Sequence, residues 1–200
     1  MTHQEAKAII NKTRLTTASH DEYETVRGLL DKKPELVACM NSLDPAKPAE
    51  RPQGAAAHMG CRPVLELMLE RGVDMDIFMA CALNRADSVR AFLERDPSLA
   101  NARGSHKIPL LMHVRGVEAA EVLVEYGADL NEYKHKRRGP LHQAVRVGDI
   151  AIVKLLVEHG ADVNMVGAGY FMDGITPLVI AQSLGRTEIA AYLRQKGARV

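Results

Sequence analysis

Three groups of residues in this chain are of types from which chemistry is built. His58 and Cys61 stand three apart, the beginning of a zinc-ligand pattern. No second pair with metal spacing accompanies them, so no metal site is expected and His58 is assigned to an exposed helix surface. Gly167, Gly169 and Gly174 are the residue type that lets a backbone close on a phosphate. They do not form the dinucleotide fingerprint, and they follow a helical pattern where that fingerprint needs a strand. Aspartate and glutamate are plentiful enough for a carboxylate pair, yet each has a place in a repeated turn or on a solvated surface. Asp129 and Asp162, in Gly-Ala-Asp turns, are expected to accept hydrogen bonds from nearby backbone N–H groups. Neither a nucleophile elbow nor a P-loop is present. The sequence therefore points to no catalytic residue, no metal and no cofactor.

Two other stretches suit recognition better than reaction. Lys134 to Arg138 reads KHKRR, and Arg146 follows on the next helical segment. A basic cluster of this kind fits an acidic partner surface and speeds encounter with it; the alternative is a solvated charged loop. Nucleic acid fits less well. The 26 Lys and Arg are balanced by 25 Asp and Glu, and no aromatics interleave the cluster. Gly167 to Gly174 reads GAGYFMDG, which gathers Tyr170, Phe171 and Met172 in a loop of a chain that is only 4% aromatic. Aromatics and Met are enriched in interface cores, so these three are candidate anchors for a partner. The alternative is that the loop folds back on its neighbour, and the flanking glycines permit either.

The elements that must position these residues repeat along the chain. PLHQAVRVGDIAIVKLLVEHGADVN, Pro140 to Asn164, aligns without a gap to Pro52–Asp76 and to Ile77–Asn101. Ile108–Asn131 aligns with a two-residue deletion near Arg115, Thr176–Val200 ends the chain in the same pattern, and Thr25–Leu36 is a weaker copy. Each copy reads as a short helix, a turn, a longer helix and a glycine stop. Pro140 sits at a helix start, where its missing N–H costs nothing. Ile152, Val153, Leu155 and Leu156 recur at helical spacing and give one apolar face. Gly160 ends that helix, most simply in the left-handed conformation. One helix pair cannot bury its apolar face alone, whereas stacked neighbours can. Leu67, Leu69, Leu123, Leu155 and Leu156 are expected between helices, and Arg194, Gln195 and Lys196 on the wet outer face of a terminal repeat.

GPLHQA at Gly139–Ala144, TPLVIA at Thr176–Ala181 and HGADVN at His159–Asn164 resemble ankyrin repeats, and DPSLAN at Asp96–Asn101 resembles a variant met in bacterial members. The resemblance implies an all-α repeat solenoid of stacked helix-turn-helix pairs, with short β-hairpin fingers in the C-terminal half. It implies a single domain over 1–200 of about six repeats, near 6–38, 46–76, 77–101, 102–131, 132–164 and 165–200. The first Thr of the family motif is replaced in most copies and only His142 keeps its His, so most copies lack the hydroxyl–imidazole hydrogen bond of the turn. No finger fits between Asp76 and Ile77, and the Pro-rich stretch from Ala38 to Pro52 reads as a stiff excursion. The family's variable positions fall at His58, Met59, Leu83, Asn84, Arg115, Arg146, Val147, Ser183 and Leu184 on the concave side. Those of the fingers include Lys107, His135, Lys136, Arg138 and Met172.

Cys39, Cys61 and Cys81 are few, scattered and odd in number, which argues for small buried side chains in a reducing compartment. No apolar run is long enough for a membrane span, and the N-terminal residues lack the order of a secretory signal. The reading is a cytoplasmic, non-catalytic protein-binding module, monomeric on its own. It acts as an inhibitor, adaptor or regulator of another protein acidic at its contact surface, with no nucleic-acid or membrane partner. The partner-binding residues are Tyr170, Phe171, Met172, Lys136, Arg138, Arg146, His135, Arg115 and Lys107. An enzyme or small-ligand protein using the concave groove is the alternative.

Overall fold

The computed structural model describes residues 20–41, 52–104, 107–132, 138–167 and 174–199. It is all-α. Helices α1 (His20–Lys32) and α2 (Glu35–Asn41) are followed by α3 (Pro52–Met59), α4 (Arg62–Glu70), α5 (Ile77–Ala82) and α6 (Ala86–Arg95). Two 3₁₀ segments, Pro97–Asn101 and Leu110–His113, precede α7 (Val117–Glu125). The chain then forms α8 (Pro140–Val147), α9 (Ile150–Glu158), α10 (Pro177–Ser183) and α11 (Thr187–Gln195). The first members of successive pairs, α3, α5, the segment 110–113, α8 and α10, pack side by side in one row. Their partners α6, α7, α9 and α11 pack in a second row behind them.

Local chemistry explains the starts and stops. Thr176 caps α10 by accepting from the Val179 N–H at 3.4 Å, and its hydroxyl donates to the Arg199 carbonyl at 3.2 Å. Asp149 caps α9 through the N–H groups of Ala151 and Ile152. Gly160 has φ +97°, the left-handed stop expected of it, which a Cβ would strain. Leu67, Leu123, Leu155 and Leu156 are buried; Leu69 is only half-buried, and Leu65 and Met68 fill the core on that helix. Arg194, Gln195 and Lys196 are exposed, as a terminal repeat requires.

An asparagine ladder stitches the stack. Asn131 donates to the Gly160 carbonyl and accepts from the Asp162 N–H at 2.8 Å. Asn41, Asn101 and Asn164 do the same in other repeats, on Gly72 and Asp74, Gly127 and Asp129, and Gly197 and Arg199. The aspartates of the Gly-Ala-Asp turns accept as expected: Asp129 from the Asn131 N–H and Asp162 from the Asn164 N–H, each at 2.8 Å. Asp76 stands where the other copies have this Asn, and it caps α5 through the Met79 N–H at 2.9 Å.

The expected β-hairpin fingers are not formed among the described residues. Two isolated antiparallel bridges, Arg103 with Pro109 and Gly167 with Ile175, stand in their place. The reason is local. Around the first bridge the ladder is only the bonds Gly104 N–H to Ile108 and Leu110 N–H to Ala102. Pro109 has no N–H to extend it, and the left-handed Lys107 (φ +56°) turns the chain at once. Of the stretch from Ala38 to Pro52 expected as an excursion, Ala38 to Asn41 belong to α2 and Pro52 opens α3, and 42–51 lie outside the described residues.

Candidate protein-binding face

The first-helix row ends on the side where the variable positions were placed, and the structure divides that side in two. At its N-terminal part the surface is closed. Every residue of α5, Ile77 to Ala82, is buried, and so is Leu83. The two-residue deletion near Arg115 has shortened the next first helix to the 3₁₀ segment 110–113, which packs against α3 as well as α5. Arg115 crosses the gap. Its guanidinium donates to the carbonyls of Met112 (3.3 Å), Val114 (2.9 Å) and, two repeats away, His58 (3.0 Å). Asn84, left-handed at φ +57°, accepts from the Ala119 N–H and donates to Glu118. Arg115, Leu83 and Asn84 are therefore engaged in the fold. Cys61 and Cys81 are buried thiols, and burial, followed by the Asp76 carboxylate, pushes the Cys81 thiol far up, which makes it inert.

His58 is not on an exposed surface: it is half-buried, its ring 5.7 Å from that of His113. His113 itself was missed by the sequence reading. It is fully buried, edge-on to Phe78 with ring centroids 5.0 Å apart. Its Nδ1 donates to the Pro109 carbonyl at 3.1 Å, and its Nε2 has no hydrogen-bond partner. Burial drives its pKa down to about 3, helped by His58 and Arg115. The signal was available, because His113 falls where the aligned copies have Ala144 and Ala181.

The C-terminal part of the same side is open. Arg146 and Val147 end α8 exposed, and Ser183 and Leu184 do so at α10. Arg146 donates from Nε and Nη2 to the Gln143 Oε1 at 3.2 and 3.1 Å. Arg138 lies half-buried beside it. Burial, then the Arg138 charge, disfavours the charged form of Arg146; burial and then Arg146 do the same to Arg115. His142 fixes this corner: its Nδ1 accepts from the Gly139 N–H at 3.2 Å and its Nε2 donates to the Ile175 carbonyl at 3.2 Å. Backbone N–H here replaces the hydroxyl of the motif. Lys107 is exposed on the earlier loop. His135, Lys136, Tyr170, Phe171 and Met172 lie outside the described residues, as do the side chains of Met59 and Cys39. Among the described residues no group of three His, Cys, Asp or Glu could hold a metal, and no helix is long and apolar enough to cross a membrane. An open hollow of about 640 Å³ lies elsewhere, between the first helix pair and Arg71, where Arg71 forms an ion pair with Asp31.

A family model described as ankyrin repeats (3 copies) matches residues 77–167 and 115–200. The chain is 30% identical over 155 residues to ankyrin repeat protein nuc-2 of Neurospora crassa, covering 72% of this chain and 14% of that protein. It is 27% identical over 186 residues to ankyrin repeat and KH domain-containing protein mask-1 of Caenorhabditis elegans, covering 89% and 7%. To the nuclear factor NF-kappa-B p105 subunit of Gallus gallus it is 33% identical over 102 residues, covering 50% and 10%. The chain thus spans a small fraction of the length of these relatives.

Proposed function

The chain belongs to the ankyrin repeat family, whose members are generally protein–protein interaction modules, and on that premise we propose that it is a non-catalytic binding protein. It holds its partner on the concave side of its C-terminal repeats, as an inhibitor, adaptor or regulator, in the cytoplasm. One observation carries the reading: Arg146, Val147 and Leu184 stand exposed at the ends of adjacent first helices, while Asn84 and Arg115 at the matching places earlier in the stack are bonded within the fold. Exposed apolar side chains beside cations suit an interface, where few residues supply most of the binding energy. The stretches that precede successive first helices in the sequence add His135, Lys136 and Lys107 as electrostatic guides and Tyr170, Phe171 and Met172 as apolar anchors.

Affinity purification of the full chain with mass spectrometry tests this. A stoichiometric partner protein that cross-links through position 147 or 184 is the expected result. Co-purification of a bound metabolite with no protein would favour a ligand-binding groove instead. Phe171→Ala separates the two roles of the aromatic loop. As an anchor it weakens partner binding by roughly 2 kcal/mol or more and leaves the melting temperature in place; as a local plug it lowers the melting temperature and spares binding.

A further inference from the structure

We propose that the open half of the concave side holds an extended acidic segment of the partner protein, its carboxylates against Arg138 and Arg146 and an apolar side chain between Val147 and Leu184. This rests on the protein-binding reading above and names what is bound.

Among the described residues these cations go unanswered. Elsewhere three arginines find carboxylates across repeats: Arg71 with Asp31, Arg90 with Glu125, Arg103 with Glu132. Among the described residues neither Arg138 nor Arg146 has an ion pair, and Arg115 beside them is bound only to neutral carbonyls. The charge of Arg146 opposes that of Arg138 on one side and that of Arg115 on the other, an arrangement that an incoming anion relieves. Arg146 is also preorganised. Two of its nitrogens are tied to Gln143, which sets the guanidinium plane and leaves its remaining N–H groups for a carboxylate.

The apolar half sits at a fixed place beside it. Val147 and Leu184 occupy the same position in successive repeats, each one residue before a left-handed glycine. They are 42% and 49% exposed, two of the large apolar side chains that the surface leaves uncovered. Arg186 donates to the Val147 carbonyl at 3.3 Å, which ties the two repeats together beside this pair. Free phosphate or a nucleotide would use the cations and leave both apolar side chains wet. Nucleic acid would want stacking platforms, and among the described residues of this patch none is aromatic. A peptide that mixes acidic and apolar residues satisfies both halves at once.

Selection of a random dodecapeptide display library on the full chain tests the inference. The expected consensus combines Asp or Glu with Leu, Ile, Val or Phe. A synthetic peptide of that consensus, titrated by fluorescence anisotropy, is expected to lose about tenfold or more in affinity with Arg146→Glu and about threefold or more with Leu184→Ser. Its binding should weaken as salt rises from about 50 to about 300 mM. Arg95→Glu, a like change at the exposed end of α6, should leave it within about twofold. No enrichment, or a basic or neutral consensus, overturns the proposal. So does oligothymidylate binding that Arg146→Glu abolishes while no acidic peptide binds. A partner that protects Val147 and Leu184 from solvent, yet is not displaced by acidic peptide, removes this inference and keeps the protein-binding reading. A partner whose footprint lies off this side removes both.

Discussion

His113 shows how one side chain can set the solution behaviour of the whole stack. It is neutral in the fold, with the proton on Nδ1 held by the Pro109 carbonyl and no room to solvate a charge on Nε2. Its folded pKa of about 3 lies below the ordinary value of 6.5, so between those values the unfolded chain binds the extra proton. Its contribution is complete above pH 6.5 and is lost progressively as pH falls toward 3. From pH 7.5 to pH 5.0 the loss attributable to His113 should be about 2 kcal/mol. His113→Leu should flatten that part of the pH dependence in urea titrations, even if it lowers stability overall. Leu156, 1% exposed between the two helix rows, sets a second expectation. Leu156→Ala should cost on the order of 2–5 kcal/mol, and a loss below about half of that would contradict its packing.

At the scale of the element, the asparagine ladder is the repeated joint. Each Asn answers one carbonyl and one N–H that the glycine turn of the next repeat leaves open. Asn131→Ala frees both, and because the site is exposed, water replaces them in part. The expected loss is about 1–2 kcal/mol in chemical denaturation. Asn131→Asp keeps the acceptor and should cost less. The same scale explains the 3₁₀ segment at 110–113. With two residues fewer than in α8, this first helix winds as a 3₁₀ segment, whose greater rise per residue covers more length with less chain. That shortening draws Arg115 toward α3. The fingers are the counter-case: their flanks pair at single bridges because the residues that would extend the ladder are Pro or left-handed.

At the scale of the molecule, contacts between nearest neighbours dominate, as in any solenoid, but the bond from Arg115 to the His58 carbonyl reaches across an intervening repeat. The middle of the chain should therefore be the most protected part. Native-state hydrogen exchange is expected to be slowest at amides of α5, faster in α11 and faster again in α1. Arg115→Ala should speed exchange in α3 and α5 while leaving α9 and α11 nearly unchanged. Uniform acceleration across all helices would mean that the long-range bond does not hold a local unit. Closure of the middle also directs recognition, because it confines accessible concave surface to the C-terminal repeats.

The sequence by itself determined the repeat, its helix starts and its stops. Those depend on short-range constraints: apolar spacing along one helix, a hydroxyl or carboxylate three residues before an open N–H, a glycine where φ must be positive. Pro140, Gly160 and Asp162 could be read singly for that reason. The basic and apolar character of Arg146 and Val147 was legible too, since the aligned copies place both at the end of a first helix. Only the tertiary structure decided which variable positions remain free. Arg115, Asn84 and His58 looked like surface residues in the alignment, and each is engaged by groups up to 57 residues away. Such partners follow from how successive repeats tilt, and that tilt is set by the volumes packed between helices and by a two-residue deletion. Neither leaves a local pattern in the residues that it brings together.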